Sequence, residues 1–488
     1  MNSFRRPSVL VAVVSALLAV VSLVALERQR IGLVVERTTL AGSPATIWRD
    51  PGIEAPPLVI VAHGYAGSRQ MMQPIAMTLA RQGHLAVAFD FHGHGRHPVP
   101  MSGDVTSLDG VTEQLVRQTV AVTEAARQLP GATGPVALVG HSMATDIVIR
   151  AADRIDAAAV VAISMYSDAV TGTFPERLLI LSGAREGRLR EVALDRLRLV
   201  DPKAAEGETA RQGDVVRRVA VAPWVGHVGV LYSPTTLAEI RDWVTSPRPS
   251  DETAAAPMTG AWLFLLLTAQ VALGAAAATA LGPRQPTDAL PMRRILLAVG
   301  APVAPALLAA LVVPPGWLGL AAFGPLAIFF AVWGGVQLAL ARPGRAAFAF
   351  APAGFALLLG WGLGLFAPAL DRYGAAFVPV GPRLTVMALL LAGTVPFAVA
   401  DAILLRGARW PLRLLARAVP IAVLLGAMLI APRLGTAFTV LPVIVLFWVV
   451  YGTVGGRVAA RTGPLAAGLA LGIILAWAIA ASTPLLAA

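Results

Sequence analysis

Apolar residues follow two different rhythms along this chain of 488 residues. Between residues 31 and 246, short β-branched runs alternate with longer stretches of helical periodicity. The runs are Leu58–Ala62, Leu85–Asp90, Val136–Gly140, Ala159–Ile163, Leu178–Ser182 and Val216–Ala222. Helical spacing fills Val111–Leu129 and Thr236–Val244. Strands separated by helices predict a mostly parallel sheet covered on both faces. From Ala261 onward polar positions nearly vanish. Eight apolar stretches remain, near 261–282, 295–313, 318–340, 347–370, 385–405, 416–432, 437–456 and 464–486. As helices, each is long enough to cross about 30 Å of hydrocarbon. Proline and glycine inside them are tolerable in a bundle, where neighbours satisfy the freed backbone groups.

A further apolar run, Ser8–Leu26, sits between Arg5-Arg6 and the polar group Glu27, Arg28 and Arg30. A cleaved signal peptide and a retained anchor both fit this outline. The run exceeds a usual signal core and its exit lacks a small-x-small site, so the anchor is preferred. The expected organisation is an anchor over 1–30, an α/β domain over 31–246, a linker over 247–260 and an all-α transmembrane domain of about eight helices over 261–488. The linker falls in a Pro/Ser/Asp/Glu segment, Ser246–Pro257.

Composition supports a bilayer as solvent for part of the chain. Hydrophobic residues make up 56% and charged residues only 14%. The net charge of +11 would suit nucleic acid, but no basic stripe with interleaved aromatics accompanies it. The arginines instead flank the apolar runs. With the N-terminus in the cytoplasm, inside loops carry Arg284, Arg293, Arg294, Arg342, Arg345, Arg406, Arg409, Arg413, Arg417, Arg457 and Arg461. Outside loops carry only Arg372, Arg383 and Arg433. This bias predicts an inner-membrane protein with residues 31–246 on the extracytoplasmic side. The chain has no cysteine, so disulfides and thiolate chemistry are excluded.

The sharpest motif is Gly140-His141-Ser142-Met143-Ala144, after the run Val136–Val139 and before the helical stretch Thr145–Ala152. A strand-to-helix turn of this kind lifts a serine hydroxyl above the sheet. Ala144 stands where the common pattern has glycine. After Ser142 the chain holds one histidine, His227, in the loop following Val216–Ala222. It is the candidate base. Glu186, just past Leu178–Ser182, is the first choice of acid, with Asp168 the alternative. The acid would hold the imidazole tautomer and stabilise the imidazolium. Met143 and Tyr65 are candidate backbone N–H donors to an oxyanion. His63 precedes the nucleophile and reads as a structural hydrogen-bonding residue. Asp90-x-His92-x-His94 has a spacing that suits zinc, but a tight loop after a strand is the preferred reading. No metal or cofactor is expected.

Together, His63-Gly64, Asp90 with Gly93-His94-Gly95, Gly140-His141-Ser142-Met143 and His227 resemble the α/β-hydrolase superfamily, nearest to its serine aminopeptidase and monoacylglycerol lipase-like group. The resemblance covers about residues 57–245, under half the chain. It implies the α/β-hydrolase fold, a Ser–Glu–His triad, and hydrolysis of esters or, less often, amides. The membrane part resembles no transporter family. Members of the group often carry a lid after the strand that here ends near Ile163. Only about a dozen residues follow before Arg177, so the lid is minimal and the bilayer surface or the bundle is expected to cover the mouth.

Within the apolar region, Asp401 is the one carboxylate well inside a span, about a turn from Arg406, with which it can pair. Gly360-x-x-x-Gly364, Gly452-x-x-x-Gly456 and Gly468-x-x-x-Gly472 read as close helix packing. The functional expectation is a membrane-bound serine esterase or lipase acting on a small-molecule or lipid ester. An acyltransferase on the same residues, or a transporter or sensor with a ligand-binding outer domain, are the alternatives. The lipid bilayer is the other expected partner, nucleic acid is not, and oligomeric state has no signature in the sequence.

Overall fold

The computed structural model describes residues 5–105, 107–244, 256–287, 289–314, 316–435 and 438–488. The chain forms two compact units, one built from Leu23–Phe264 with the short segment Arg372–Ala376, the other from the remaining helices.

The first unit is organised by a nine-stranded sheet. Its strands are β1 (Val34–Leu40), β2 (Ser43–Arg49), β3 (Pro57–Ala62), β4 (Leu85–Phe89), β5 (Thr133–His141), β6 (Ala159–Ile163), β7 (Arg177–Gly183), β8 (Thr209–Gln212) and β9 (Val215–Ala222). They lie in the order β1-β2-β4-β3-β5-β6-β7-β9-β8. The six runs read from sequence are the six central strands, all mutually parallel. The outer strands were not legible as strands. β1 and β2 form an antiparallel hairpin whose two-residue turn, Ala41-Gly42, has both residues at positive φ. Ala-Gly is a weaker signal for such a turn than Asn-Gly. β8 is a short edge strand with one buried residue among four, too little for periodicity to register.

The core explains why the central runs are continuous rather than alternating. Val59, Val61, Val139, Val161, Leu179 and Leu181 pack on one face against Met77, Leu79, Leu237 and Ile240. Ile60, Leu138, Val160 and Ile180 are buried on the other. Strands covered on both faces need apolar residues at every position. Each such side chain contributes about 1.5–3 kcal/mol by leaving water. Strand order reverses direction between β3 and β5. That is where an open parallel sheet leaves a crevice at its carboxyl edge.

In the second unit, together with Ser8–Arg28, nine described helices are long and apolar enough to cross a membrane: Ser8–Arg28, Thr259–Leu281, Met292–Val312, Phe323–Ala341, Pro352–Tyr373, Pro382–Leu404, Trp410–Ile430, Val440–Thr462 and Pro464–Ser482. This is compatible with a multi-pass membrane protein. The expected linker at 247–260 lies mostly outside the described residues, and its last two residues already belong to the helix that starts at Thr259. The core gathers Phe329, Phe330, Trp333, Phe397, Phe447, Trp448 and Tyr451.

The three glycine pairs do three different things. At Gly468 and Gly472 an added Cβ would lie 2.6 Å from the Cα atoms of Val399 and Val395, so two helix backbones approach closely there. Gly452 and Gly456 instead face side chains. A Cβ at 452 would meet the Trp448 ring at 2.8 Å and Arg417 Nη1 at 3.3 Å, and one at 456 would meet Arg413 Nη1 at 3.6 Å. Gly360 and Gly364 have nothing within 4 Å and lie in a π-helical segment, Gly360–Phe366. Helical spacing puts such glycines on one face, but tertiary packing decides what fills the groove.

Two readings of polar residues change as well. Asp401 pairs with Arg417, not Arg406, through contacts of 3.2 Å to Nε and 2.8 Å to Nη2. Arg406 donates to Gln285 at 3.0 Å. The helix carrying Arg417 begins at Trp410 rather than near 416, so the arginine lies two turns inside a helix rather than in a loop. Arg383, counted among loop charges, is buried and donates to the carbonyls of Ala480 and Thr483, both at 2.8 Å. It satisfies carbonyls that the last turn of Pro464–Ser482 leaves open.

Candidate functional site

Four strands deliver their following residues to one edge of the sheet. β5 ends at His141 and the helix Met143–Ile155 begins two residues later. Ser142, between them, has φ 53° and ψ −120°. A non-glycine residue held there is strained, and the neighbours show what holds it. Its N–H donates to Ile163 O at 2.8 Å. Gly140 removes a barrier, since a Cβ there would lie 2.6 Å from Ala144 O and 2.7 Å from Val148 Cγ2. Across the crevice, a Cβ on Gly64 would lie 2.9 Å from Ser142 Cβ. Ala144 itself is fully buried, so its methyl is absorbed by the helix–sheet packing rather than by the turn.

The serine hydroxyl lies 2.8 Å from His227 Nε2. His227 Nδ1 lies 2.6 Å from Glu186 Oε1. The other carboxylate oxygen accepts from Gly183 N at 2.6 Å and from Ser164 Oγ at 2.8 Å. Burial of Glu186 favours the neutral acid, but the hydrogen bonds from His227, Gly183 and Ser164 outweigh it and hold the carboxyl below its ordinary value. An ionised carboxylate facing Nδ1 fixes the proton on that nitrogen and leaves Nε2 as an acceptor for the hydroxyl. The His227 side chain is 48% exposed and the Glu186 side chain 4%, so the histidine meets solvent while its partner does not.

The alternative acid is elsewhere. Asp168 is 81% exposed and pairs with Arg150 at 2.5 Å. Tyr65 follows β3 in the turn closed by Gly67 N to Gly64 O at 3.0 Å, and burial pushes its phenol up to about 12. Met143 is the first residue of its helix, where N–H groups have no partner within the helix. His63 accepts from Phe91 N at 3.1 Å through Nε2, so Nδ1 carries the proton and donates to Gly64 O at 2.7 Å. Asp90 accepts from the backbone N–H groups of Arg69 and Arg96, each at 2.9 Å, and pairs with the Arg69 guanidinium. His94 Nδ1 lies 2.9 Å from His92 O. These contacts knit the histidine-rich stretch into a loop. Among the described residues no three His, Asp or Glu side chains gather as metal ligands.

Two residues at the site have no role assigned by the sequence, Ser164 outside any motif and His141 inside the serine motif. Ser164, directly after β6, donates to Glu186. His141 donates from Nε2 to the His227 carbonyl at 2.8 Å, with its ring 5.0 Å from the His227 ring. A signal existed for Ser164: a small polar residue immediately after a buried strand, at the edge that also receives Ser142.

The histidines predict an acid response. Burial lowers His84, His97 and His141 to about 4, and lowers His63 as well. An unfolded imidazole titrates near 6.5. Between about pH 6.5 and 4 the unfolded chain therefore binds more protons than the folded one. Stability falls with acid across that window, by up to roughly 1.4 kcal/mol per pH unit for each histidine. Glu186, held low, adds a loss as pH drops through its own range, in the same direction. The thermal midpoint of the full-length protein in neutral detergent, followed by tryptophan fluorescence, is expected to fall steeply below pH 6.5. A flat profile down to pH 4.5 would contradict it.

Residues 54–230 match the family model described as serine aminopeptidase, S33. TT1662 from Thermus thermophilus is 21% identical, with a TM-score of 0.31, over 43% of this chain and 96% of that one. A predicted CIB-like hydrolase from Thermoplasma acidophilum is 12% identical, with a TM-score of 0.34, over 43% and 100%. Dienelactone hydrolase from Anabaena variabilis is 16% identical, with a TM-score of 0.34, over 43% and 97%. No curated protein gives a significant match. The first unit has the α/β-hydrolase fold, and the chain continues into a helical region of many long apolar helices.

Proposed function

From an α/β-hydrolase unit joined to a membrane-compatible helical unit, we propose a membrane-bound serine hydrolase that cleaves carboxylic esters of amphiphilic or lipid-like molecules. The observation that carries this is the unbroken relay from Ser142 Oγ through His227 to Glu186, at 2.8 and 2.6 Å, on a strained strand-to-helix turn. Ser142 Oγ attacks the ester carbonyl while His227 Nε2 takes its proton. The backbone N–H groups of Met143 and Tyr65 hold the developing oxyanion. The tetrahedral intermediate collapses, His227 gives the proton to the departing alcohol, and the acyl group stays on Ser142. Water, deprotonated by His227, then releases the acid. Glu186 keeps Nδ1 protonated throughout and stabilises the imidazolium.

The mouth supports this substrate class. The segment between β6 and β7 contains no helix or strand to form a lid. The loops that carry His227 and Ser164 expose Trp224 at 83%, Tyr166 at 68% and Val228 at 51%. Apolar side chains held in water beside a nucleophile favour the acyl chain of an amphiphile. The arginine distribution supports a multi-pass inner-membrane location with this unit outside.

Full-length protein in mixed micelles is expected to hydrolyse p-nitrophenyl esters, faster for medium acyl chains than for acetate. Added glycerol should not divert the acyl group. Transfer to glycerol exceeding free acid would replace hydrolysis with acyl transfer, and no turnover of any ester would reject both.

A further inference from the structure

The helical unit contains a cluster of guanidinium groups that ester hydrolysis does not use. Arg413 and Arg417 sit on the first turns of Trp410–Ile430. Arg284 follows Thr259–Leu281, Arg406 follows Pro382–Leu404, and Arg457 lies near the end of Val440–Thr462. They line two cavities of about 270 and 410 Å³ that share Arg284, Arg413 and Arg417 in their walls. Among the described residues, Asp401 is the one carboxylate in either wall. Among the described residues of these walls, five guanidiniums against one carboxylate leave four positive charges without an opposite charge.

The contacts within the cluster separate one arginine from the rest. Arg417 is neutralised by Asp401 and stacks on Trp448 with its guanidinium carbon 3.9 Å from the ring centre. Gly452 makes that stack possible, since a Cβ there would meet the Trp448 ring at 2.8 Å. Arg413 donates Nε to Ala408 O at 3.0 Å, and Arg406 donates to the neutral side chain of Gln285. Arg406 Nε is buried without a hydrogen-bond partner among the described residues. Carbonyl and amide oxygens satisfy donors but do not cancel charge. Guanidinium stays ionised at any physiological pH, so deprotonation offers no relief. All five arginines belong to the set that the charge bias places inside. Setting orientation needs only that they lie in flanking loops, and does not explain their convergence on shared cavities.

We propose that these cavities bind a phosphate-type oxyanion, held by Arg284 and Arg413 with Arg406 and Arg457 at the margin, while the Arg417–Asp401 pair on Trp448 forms a fixed wall. The planar guanidinium fork matches phosphate oxygens with two parallel hydrogen bonds. The anion supplies the charge that the walls lack. Its source is either free phosphate or the phosphodiester headgroup of an anionic lipid. The site stands independently of the hydrolase reading.

The test uses full-length protein in nanodiscs of phosphatidylcholine, with and without phosphatidylglycerol, and an Arg284→Gln/Arg413→Gln double variant. Neither residue takes part in the Asp401 pair. Binding of radiolabelled inorganic phosphate and of labelled phosphatidylglycerol is measured separately. Saturable binding of phosphate identifies the free anion, and selective retention of phosphatidylglycerol through detergent exchange identifies the headgroup. Either is expected to weaken at least tenfold in the double variant, with the thermal midpoint of the ligand-free protein unchanged. Arg284→Gln alone, at an exposed position, replaces the double variant if that protein fails to fold, and the same direction of change is required. Absence of saturable binding of both probes to wild type, or equal binding by the variant, overturns the proposal.

Discussion

Replacing Ser142 with alanine is expected to lower kcat for ester hydrolysis by about 10⁶-fold, leaving only the rate that binding and oxyanion stabilisation provide. KM should change little, because the hydroxyl is spent in bond formation rather than in holding the substrate. His227→Ala should cost a similar factor, since a serine without a base is as inert as a base without a serine. The double variant should be no slower than either single variant, because residues that act as one unit do not add. Steady-state kinetics on full-length protein, with the far-ultraviolet spectrum as a check on folding, would test this. Losses that multiply in the double variant would mean that Ser142 and His227 work separately.

Glu186→Gln is the second large effect, and its size follows from hydrogen-bond polarity. One carboxylate oxygen accepts from Gly183 N and Ser164 Oγ. Those donors oblige a glutamine to place its amide oxygen there. Its NH₂ must then face His227 Nδ1, which becomes an acceptor, and the ring proton moves to Nε2. In that tautomer Nε2 cannot accept from Ser142. The expected loss in kcat is about 10⁴-fold with little change in fold. Asp168→Asn, at an exposed residue paired with Arg150, should leave kcat within about twofold, as surface substitutions away from a site do. The pair of variants separates the two acids that sequence left open. A larger loss for Asp168→Asn than for Glu186→Gln would reverse the assignment.

Much of this is legible in the sequence, for a physical reason. The six central strands are buried on both faces and write their positions as continuous apolar runs. Ser142 is announced by its flanking strand and helix, and His227 by being the sole histidine after it. Glu186 and Asp168 were harder to separate, because each follows a strand, and only folding brings Glu186 to Nδ1. The edge strands β1 and β8, and β2 beside β1, carry mixed rather than continuously apolar residues and leave no such trace. The helix from Trp410 looks six residues shorter in sequence, because Arg413 in its first turn looks like loop. For the same reason the sequence points Asp401 to Arg406, its near neighbour in the chain, while the fold pairs it with Arg417 on the next helix. Ser164 and His141 act on Glu186 and His227 through single hydrogen bonds, and the serine motif that contains His141 does not foretell its bond to the His227 carbonyl.

The most direct test of the central claim is labelling by a fluorophosphonate probe, which reacts only with a serine activated by a hydrogen-bonded base. Full-length protein in native membranes should be labelled stoichiometrically, with the adduct on the peptide that contains Ser142, and Ser142→Ala should show none. Unlabelled wild type, or equal labelling of Ser142→Ala, would contradict the assignment of this chain as a serine hydrolase.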